Sequence, residues 1–548
     1  MHHRISFAAV VCVCAGLQVG AQTVWTGAGD GSSWTDNANW STGVNPNSSS
    51  VGVVIDDDEL ITSDVVLAAT RTIADLRLDA GDSLTLLQSA SLTFNGGFVN
   101  NGTLGIEGDT GTNLATALRF AGDQEISGLG EIVLNDDAQN LITSTNATLT
   151  LGSMQTIRGA GQLLQNLGGV INNGTILAEG VNNALVIDPG VEGFVNNGTL
   201  SAVGAGGLVL GSGVFTNNTV IDAADGSFVE VRANAAIVGG ELTTVGSGEI
   251  RALASSDFTG VTVTAGSRVS QVQSQSAEIR NGLTNNGTWS ITSDNDTNFT
   301  TVLSFVGSQT LDGTGEIVLN DDAHNQITST NATLTVGSEQ TIRGAGQLLQ
   351  NLGGVINNGT ILAEGVNNAL VINPGVEGFV NFGVLGGTGT FDFIDGILIN
   401  DGTIAPGLST GTLTWDGGLQ QSETATLDLE IAGFDDFDML SITGTFEAEG
   451  FIDVTTLGGF DPAATMDPSA VFEVLTASSV TGNFDNAIAD VGTGIAAGVV
   501  GSDGTIFDVI YTDTSVLITN VVAIPSPGGL VALIGAGGVM VGRRRRLS

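Results

Sequence analysis

The chain has 548 residues, a formal charge of −43 at neutral pH, and no lysine, so its 14 basic residues are all Arg against 57 acids. Such a surface repels nucleic-acid phosphates and anionic lipid head groups, which excludes a nucleic-acid partner. With 41% hydrophobic residues the chain can bury a core, which excludes an acidic disordered polymer.

Residues 1–21 read as a secretory signal: MHHR gives a positive start, an apolar stretch follows, and Val19-Gly20-Ala21 offers a small-residue cleavage site ending at Ala21. Cys12 and Cys14, the only cysteines, fall inside this leader. The mature chain is then expected to carry neither a disulfide nor a thiolate zinc site. Without the leader and the terminal arginines, nine Arg face 57 acids, which suits solubility in salt and would attract divalent cations.

Residues 22–60 hold Trp25, Trp34 and Trp40, three of the five tryptophans, among Gly, Asp and Asn turn formers. The favoured reading is a cap over the open end of a stacked sheet. The alternative is a carbohydrate contact in which the three rings stack on an extracellular polysaccharide.

Residues 61–405 repeat. Copies at about 88–200 and 273–385 are offset by 185 residues, and 131–196 differs from 316–381 at only five of 66 positions. Within them a shorter phrase recurs: FVNNGTL (98–104), VINNGTI (170–176), FVNNGTL (194–200), LTNNGTW (283–289), VINNGTI (355–361) and LINDGTI (398–404). A period near 20 residues with short β-branched runs and Asn-Gly turns is a solenoid signature. Each coil would stack its strands on equivalents above and below, giving an all-β parallel β-solenoid (β-helix) rod. Asn and Gly in the phrase are expected to serve positive φ at a corner, and stacked Asn amides to form a hydrogen-bonded ladder.

Residues 406–520 form a β-rich C-terminal module, either separate or continuing the rod. Alternation through 424–431 marks half-exposed strands. The chain closes on 524–548: Pro525-Ser526-Pro527, an apolar run over 528–542, then Arg543, Arg544, Arg545 and Arg546. As a helix that run rises about 22 Å, short of a ~30 Å hydrocarbon core, so it is a marginal anchor. The four Arg are expected on the cytoplasmic side of the inner membrane.

The phrases APGLSTGTLT, GFDDFDMLSITGTF and AVFEVLTASSVTGNF resemble the closing region of autotransporter-like β-solenoids. With the three-part tail, the chain resembles bacterial PEP-CTERM sorting-signal proteins, with Ser526 where the eponymous motif has Glu. The resemblance implies a short C-terminal transmembrane helix, recognition and cutting by an exosortase-type sorting enzyme, and delivery to the cell surface or extracellular space.

No motif assigns an activity. The Gly-His-Gly and Arg-Ile-Lys phrases of polygalacturonase-type glycosidases do not occur, and no Walker loop, zincin motif or nucleophile elbow is present. His324, the sole histidine after the leader, is Gln139 in the first copy. Asp136-Asp137 and Asp321-Asp322 are kept in both copies and read as exposed turns or, more sharply, as calcium-binding corners. Calcium is the one cofactor considered. The expectation is a non-enzymatic structural or adhesive surface protein; the alternative is a secreted polysaccharide-active or carbohydrate-binding β-helix.

Overall fold

The computed structural model describes residues 21–55, 62–109, 111, 114–294, 296–351, 353–460, 471–487, 495–500 and 506–522. The leader before Ala21 and the tail with Pro525, Ser526, Pro527, Arg543, Arg544, Arg545 and Arg546 lie outside them. The described chain is a parallel β-solenoid of about 17 turns whose one helix is a 3-10 turn, Asn37–Asn39. It divides into two compact units, Met1–Val318 with His324–Leu334, and Leu319–Ala323 with Thr335–Ser548.

In the first unit a coil commonly supplies three short strands, two of which fuse in Ser256–Val263 and Ser276–Asn285. Phe194–Asn196, Thr199–Ala202 and Leu208–Leu210 are followed by Gly213–Asn217, Val220–Ala223 and Phe228–Val231. The second set lies on the first in parallel register, Phe194 on Phe215, Leu200 on Ile221 and Leu208 on Val229. The reason is the period of two. In Thr175–Ala178 (TILA), Ile176 and Ala178 point inward and are buried, while Thr175 and Leu177 lie toward the surface. One coil cannot bury such a face alone; stacking buries it continuously. The column Val170, Phe194, Phe215, Ile237, Phe258, Ile279 is at most 2% exposed throughout. Each such side chain contributes about 1.5–3 kcal/mol of transfer free energy.

The N-terminal segment is itself part of the stack. Ala21–Val24 pairs in parallel with Val51–Ile55, and the loop between them carries the three tryptophans.

In the second unit Leu370–Ile372, Phe379–Asn381 and Val384–Gly387 bear the next coil in parallel, Leu370 on Phe391, Asn381 on Asn400 and Val384 on Thr403. That coil contains the 11-residue strand Thr390–Asn400, whose register breaks between Asp392 and Ile397. No separate sandwich starts at 406. Thr403–Pro406, Thr426–Gly433 and Phe451–Thr456 stack in parallel, as do Thr412–Gln421, Met439–Ile442 and Val471–Thr476. Antiparallel pairing enters at the short Asp436–Phe437, beside Thr426–Gly433, and at the last strands, where Ser515–Val522 runs antiparallel to Val471–Thr476 and to Ile506–Tyr511. Among the described residues no helix is long and apolar enough to cross a membrane.

Candidate functional site

The corner built by the Asn-Asn-Gly-Thr phrase is the feature that recurs most. Its first Asn ends a strand on the inner face. Asn172 Nδ2 donates to Asn196 Oδ1 at 2.9 Å, and Asn196 Nδ2 to Asn217 Oδ1 at 2.9 Å; all three are at most 2% exposed. In the second unit the row runs Asn357 to Asn381, Asn381 to Asn400 and Asn400 to Gln421 Oε1, each at 2.7 Å. The amide dipoles within a row point the same way, so neighbouring bonds polarise one another. The second Asn of the phrase faces out and forms a weaker row: Asn197 donates to Asn173 at 2.9 Å and Asn218 to Asn197 at 2.7 Å.

The glycine of the phrase is needed for space, not for backbone sign, which corrects the expectation of positive φ there. An added Cβ would stand 2.3 Å from Gln155 O at Gly174 and 2.1 Å from Gly174 O at Gly198. Positive φ falls in other turns: Asn146 and Asn331, within the two ITSTNATLT phrases, both have φ of 50°.

The first acid of each pair is engaged by N–H donors. Asp136 Oδ2 accepts hydrogen bonds from Val181 N, Asn182 N and Asn182 Nδ2 at 2.8–3.2 Å. Its Oδ1 accepts from Asn183 N at 2.9 Å and Asn183 Nδ2 at 3.2 Å. In the second copy Asp321 makes the same set with Val366, Asn367 and Asn368. Calcium requires oxygen ligands, whereas the partners here are N–H donors that a cation would have to displace. Desolvation works to raise the Asp136 pKa, but the donors of Asn182 and Asn183 outweigh it and hold the carboxyl at about 2; Asp321 is lowered in the same way. Nor are the second members exposed: Asp137 is 7% and Asp322 0% exposed, and Asp137 Oδ1 accepts from Gln139 N. Among the described residues no group of three or more His, Cys, Asp or Glu is placed to hold a metal ion.

The tryptophan contact with sugar is corrected as well. Trp25, Trp34 and Trp40 are 3%, 0% and 2% exposed and pack edge to face, with centroids 5.0 and 4.8 Å apart. Trp34 Nε1 donates to Pro46 O and Trp40 Nε1 to Trp34 O, so no ring face is open to a ligand. They are interior residues of the N-terminal loop. Ala21, the expected cleavage-site residue, begins the first strand, in register with Val51.

The backbone contact at His324 is the same in both copies: Thr301 N donates to His324 O, as Thr116 N donates to Gln139 O. Asp188, which is Asn373 in the other copy, accepts from Ser212 N and Oγ in the following coil.

One concave feature went unsuspected. The register break in Thr390–Asn400 lifts Ile394 and Ile397, 47% and 64% exposed, beside a floor of Gly417, Gly418 and Gly444. The resulting open groove encloses about 550 Å³. Asp392 and Asp416 are register partners along it, and Thr443 Oγ1 donates to Asp416 at 2.6 Å. No basic residue occurs anywhere in 344–542. Asp392 and Ile397 are five residues apart where their partners Asp416 and Gly418 are two apart, so the excess appears only once the register is known.

Fold and corner together define a parallel β-solenoid whose coils are fastened by polar rows and clamps. Compared with protein-family models and with curated proteins, the chain matches none.

Proposed function

We propose that this chain is an exported, non-catalytic β-solenoid that acts as a structural or adhesive element of a cell surface or extracellular matrix. One observation carries the reading. The polar residues kept between the two copies spend their hydrogen bonds on other coils: the inner Asn row on the next coil, and Asp136 with Asn182 and Asn183, and Asp321 with Asn367 and Asn368, two coils on. Duplication has therefore copied fasteners, as a length-extending scaffold requires. Incubation with pectins, alginates and other glycans is expected to yield no new reducing ends or unsaturated products; turnover would overturn the reading.

Delivery in this proposal rests on the signal at 1–21 and the tail at 524–548. The tail first inserts in the inner membrane and is then cut by an exosortase-type enzyme. Co-expression with such an enzyme should give a product lacking the tail by intact-mass measurement, and an unchanged mass would remove the sorting step.

The groove favours a second reading, binding of a glycan segment to the solenoid side. Its carboxylates accept hydroxyl donors and its isoleucines offer an apolar wall, a usual make-up for a ligand site. The acidic surroundings favour neutral or cationic sugars over uronates. Glycan binding that survives Ile397→Asp combined with Asp416→Ala would remove the groove from consideration.

A further inference from the structure

Near the C-terminal end of the second unit a single carboxyl ties three segments together. Asp438 is 1% exposed. Its Oδ1 accepts from Gly411 N at 2.9 Å, in the loop after Pro406, and its Oδ2 from Glu430 N at 2.8 Å. Its own N–H donates to Glu430 O at 2.8 Å. An added Cβ on Gly407 would stand 2.6 Å from Asp438 Oδ1, so the 407–411 loop closes directly over the carboxyl.

The charged groups on the surrounding elements are all acids. Asp428 and Glu430 lie on Thr426–Gly433, and Asp453, register partner of Asp428, on Phe451–Thr456. Asp416 lies on Thr412–Gln421, Glu473 on Val471–Thr476, and Asp435 and Asp436 in the turn that precedes Asp438. With no Lys, Arg or His in 344–542, no cation of that stretch offsets a charge here.

We propose that Asp438 is a pH-sensitive latch that closes the 407–411 loop onto the solenoid while protonated and loosens it once ionised. Two backbone donors are too few to compensate a buried carboxylate among like charges. Burial first, and then the charges of Glu430 and Asp428, raise its pKa to about 7 against the opposing pull of the Glu430 and Gly411 amides. An ordinary unfolded Asp titrates near 3.9. The folded state therefore holds the extra proton, and the latch is fully stabilising below about pH 4 and weakens as pH rises through about 7.

Hydrogen exchange of the full chain, corrected for intrinsic rate, tests this on peptides covering 407–411 and 426–438. Between pH 5.5 and 7.5, where surface carboxylates are already ionised, protection should fall on the order of tenfold. Peptides around Asp136 should not change. Asp438→Asn should abolish the pH dependence whatever its absolute protection. Glu430→Gln, which keeps the backbone donor and removes one charge, should move the transition to lower pH. Protection that is independent of pH in the unaltered chain would overturn the latch. So would a pH transition that persists in Asp438→Asn or stays in place in Glu430→Gln.

Discussion

The inner asparagine row and the Asp136 clamp do the same work in opposite surroundings. Both fasten one coil to another through hydrogen bonds. Asn196 does so at 1% exposure with a neutral amide; Asp136 does so at the surface with a charge. The neutral amide both donates and accepts, so it can continue a row through a dry interior at no charge-burial cost. The carboxylate only accepts, so it ends a network, and it stays ionised because five N–H contacts converge on it. Asp438 shows what happens when an acid is moved inside with two such donors: its pKa sits near 7 instead of near 2. Donor count and burial, not residue type, decide the charge state.

Substitutions rank this contrast. Asn196→Ala should have the largest effect, because it leaves Asn172 Nδ2 and Asn217 Oδ1 with a buried partner missing; about 3 kcal/mol is expected from urea unfolding. A loss equal to that of a surface substitution would show that water replaces the row. Gly198→Ala, at the same corner, forces a methyl against Gly174 O and should lower stability by about 2 kcal/mol. Tolerance of Ala would mean that the coils can slide apart there.

The exposed clamp comes next. Asp136→Ala should destabilise by about 1–2 kcal/mol and raise proteolysis of the 181–183 loop. Its pH signature runs opposite to that of Asp438. The folded pKa lies below the unfolded one, so the clamp is fully stabilising above about pH 4 and is lost as pH falls toward 2. Acid melts of the unaltered chain should therefore show a decline that is smaller in Asp136→Ala; equal declines would count against the clamp. Smallest of all, Asn197→Ala in the outer row should change stability by less than about 0.5 kcal/mol, since water can take over both of its bonds.

Several of these features were legible beforehand. Period-two alternation and the recurring phrase gave the parallel solenoid and the stacking of equivalent strands. The same alternation places Asn196 on the face of Phe194, so the inner row was within reach of the sequence. Adjacent asparagines look alike until that register is applied. Burial of the tryptophans was readable because bulky rings beside turn formers suit a sheet end.

Other features were decided only by tertiary structure. Asp136 meets Asn182 and Asn183 across 46 and 47 residues of chain, a distance no local pattern spans. The glycine requirement came from carbonyl oxygens of the coil below, not from the turn's own φ. The protonation of Asp438 depends on burial and on acids of neighbouring strands, which the local GFDDFDML sequence does not set. The sequence by itself determined the coil and its repetition, because both follow from side-chain alternation along one strand. Tertiary structure decided which polar groups are fasteners and which are charged, because hydrogen-bond partners and dielectric come from coils above and below.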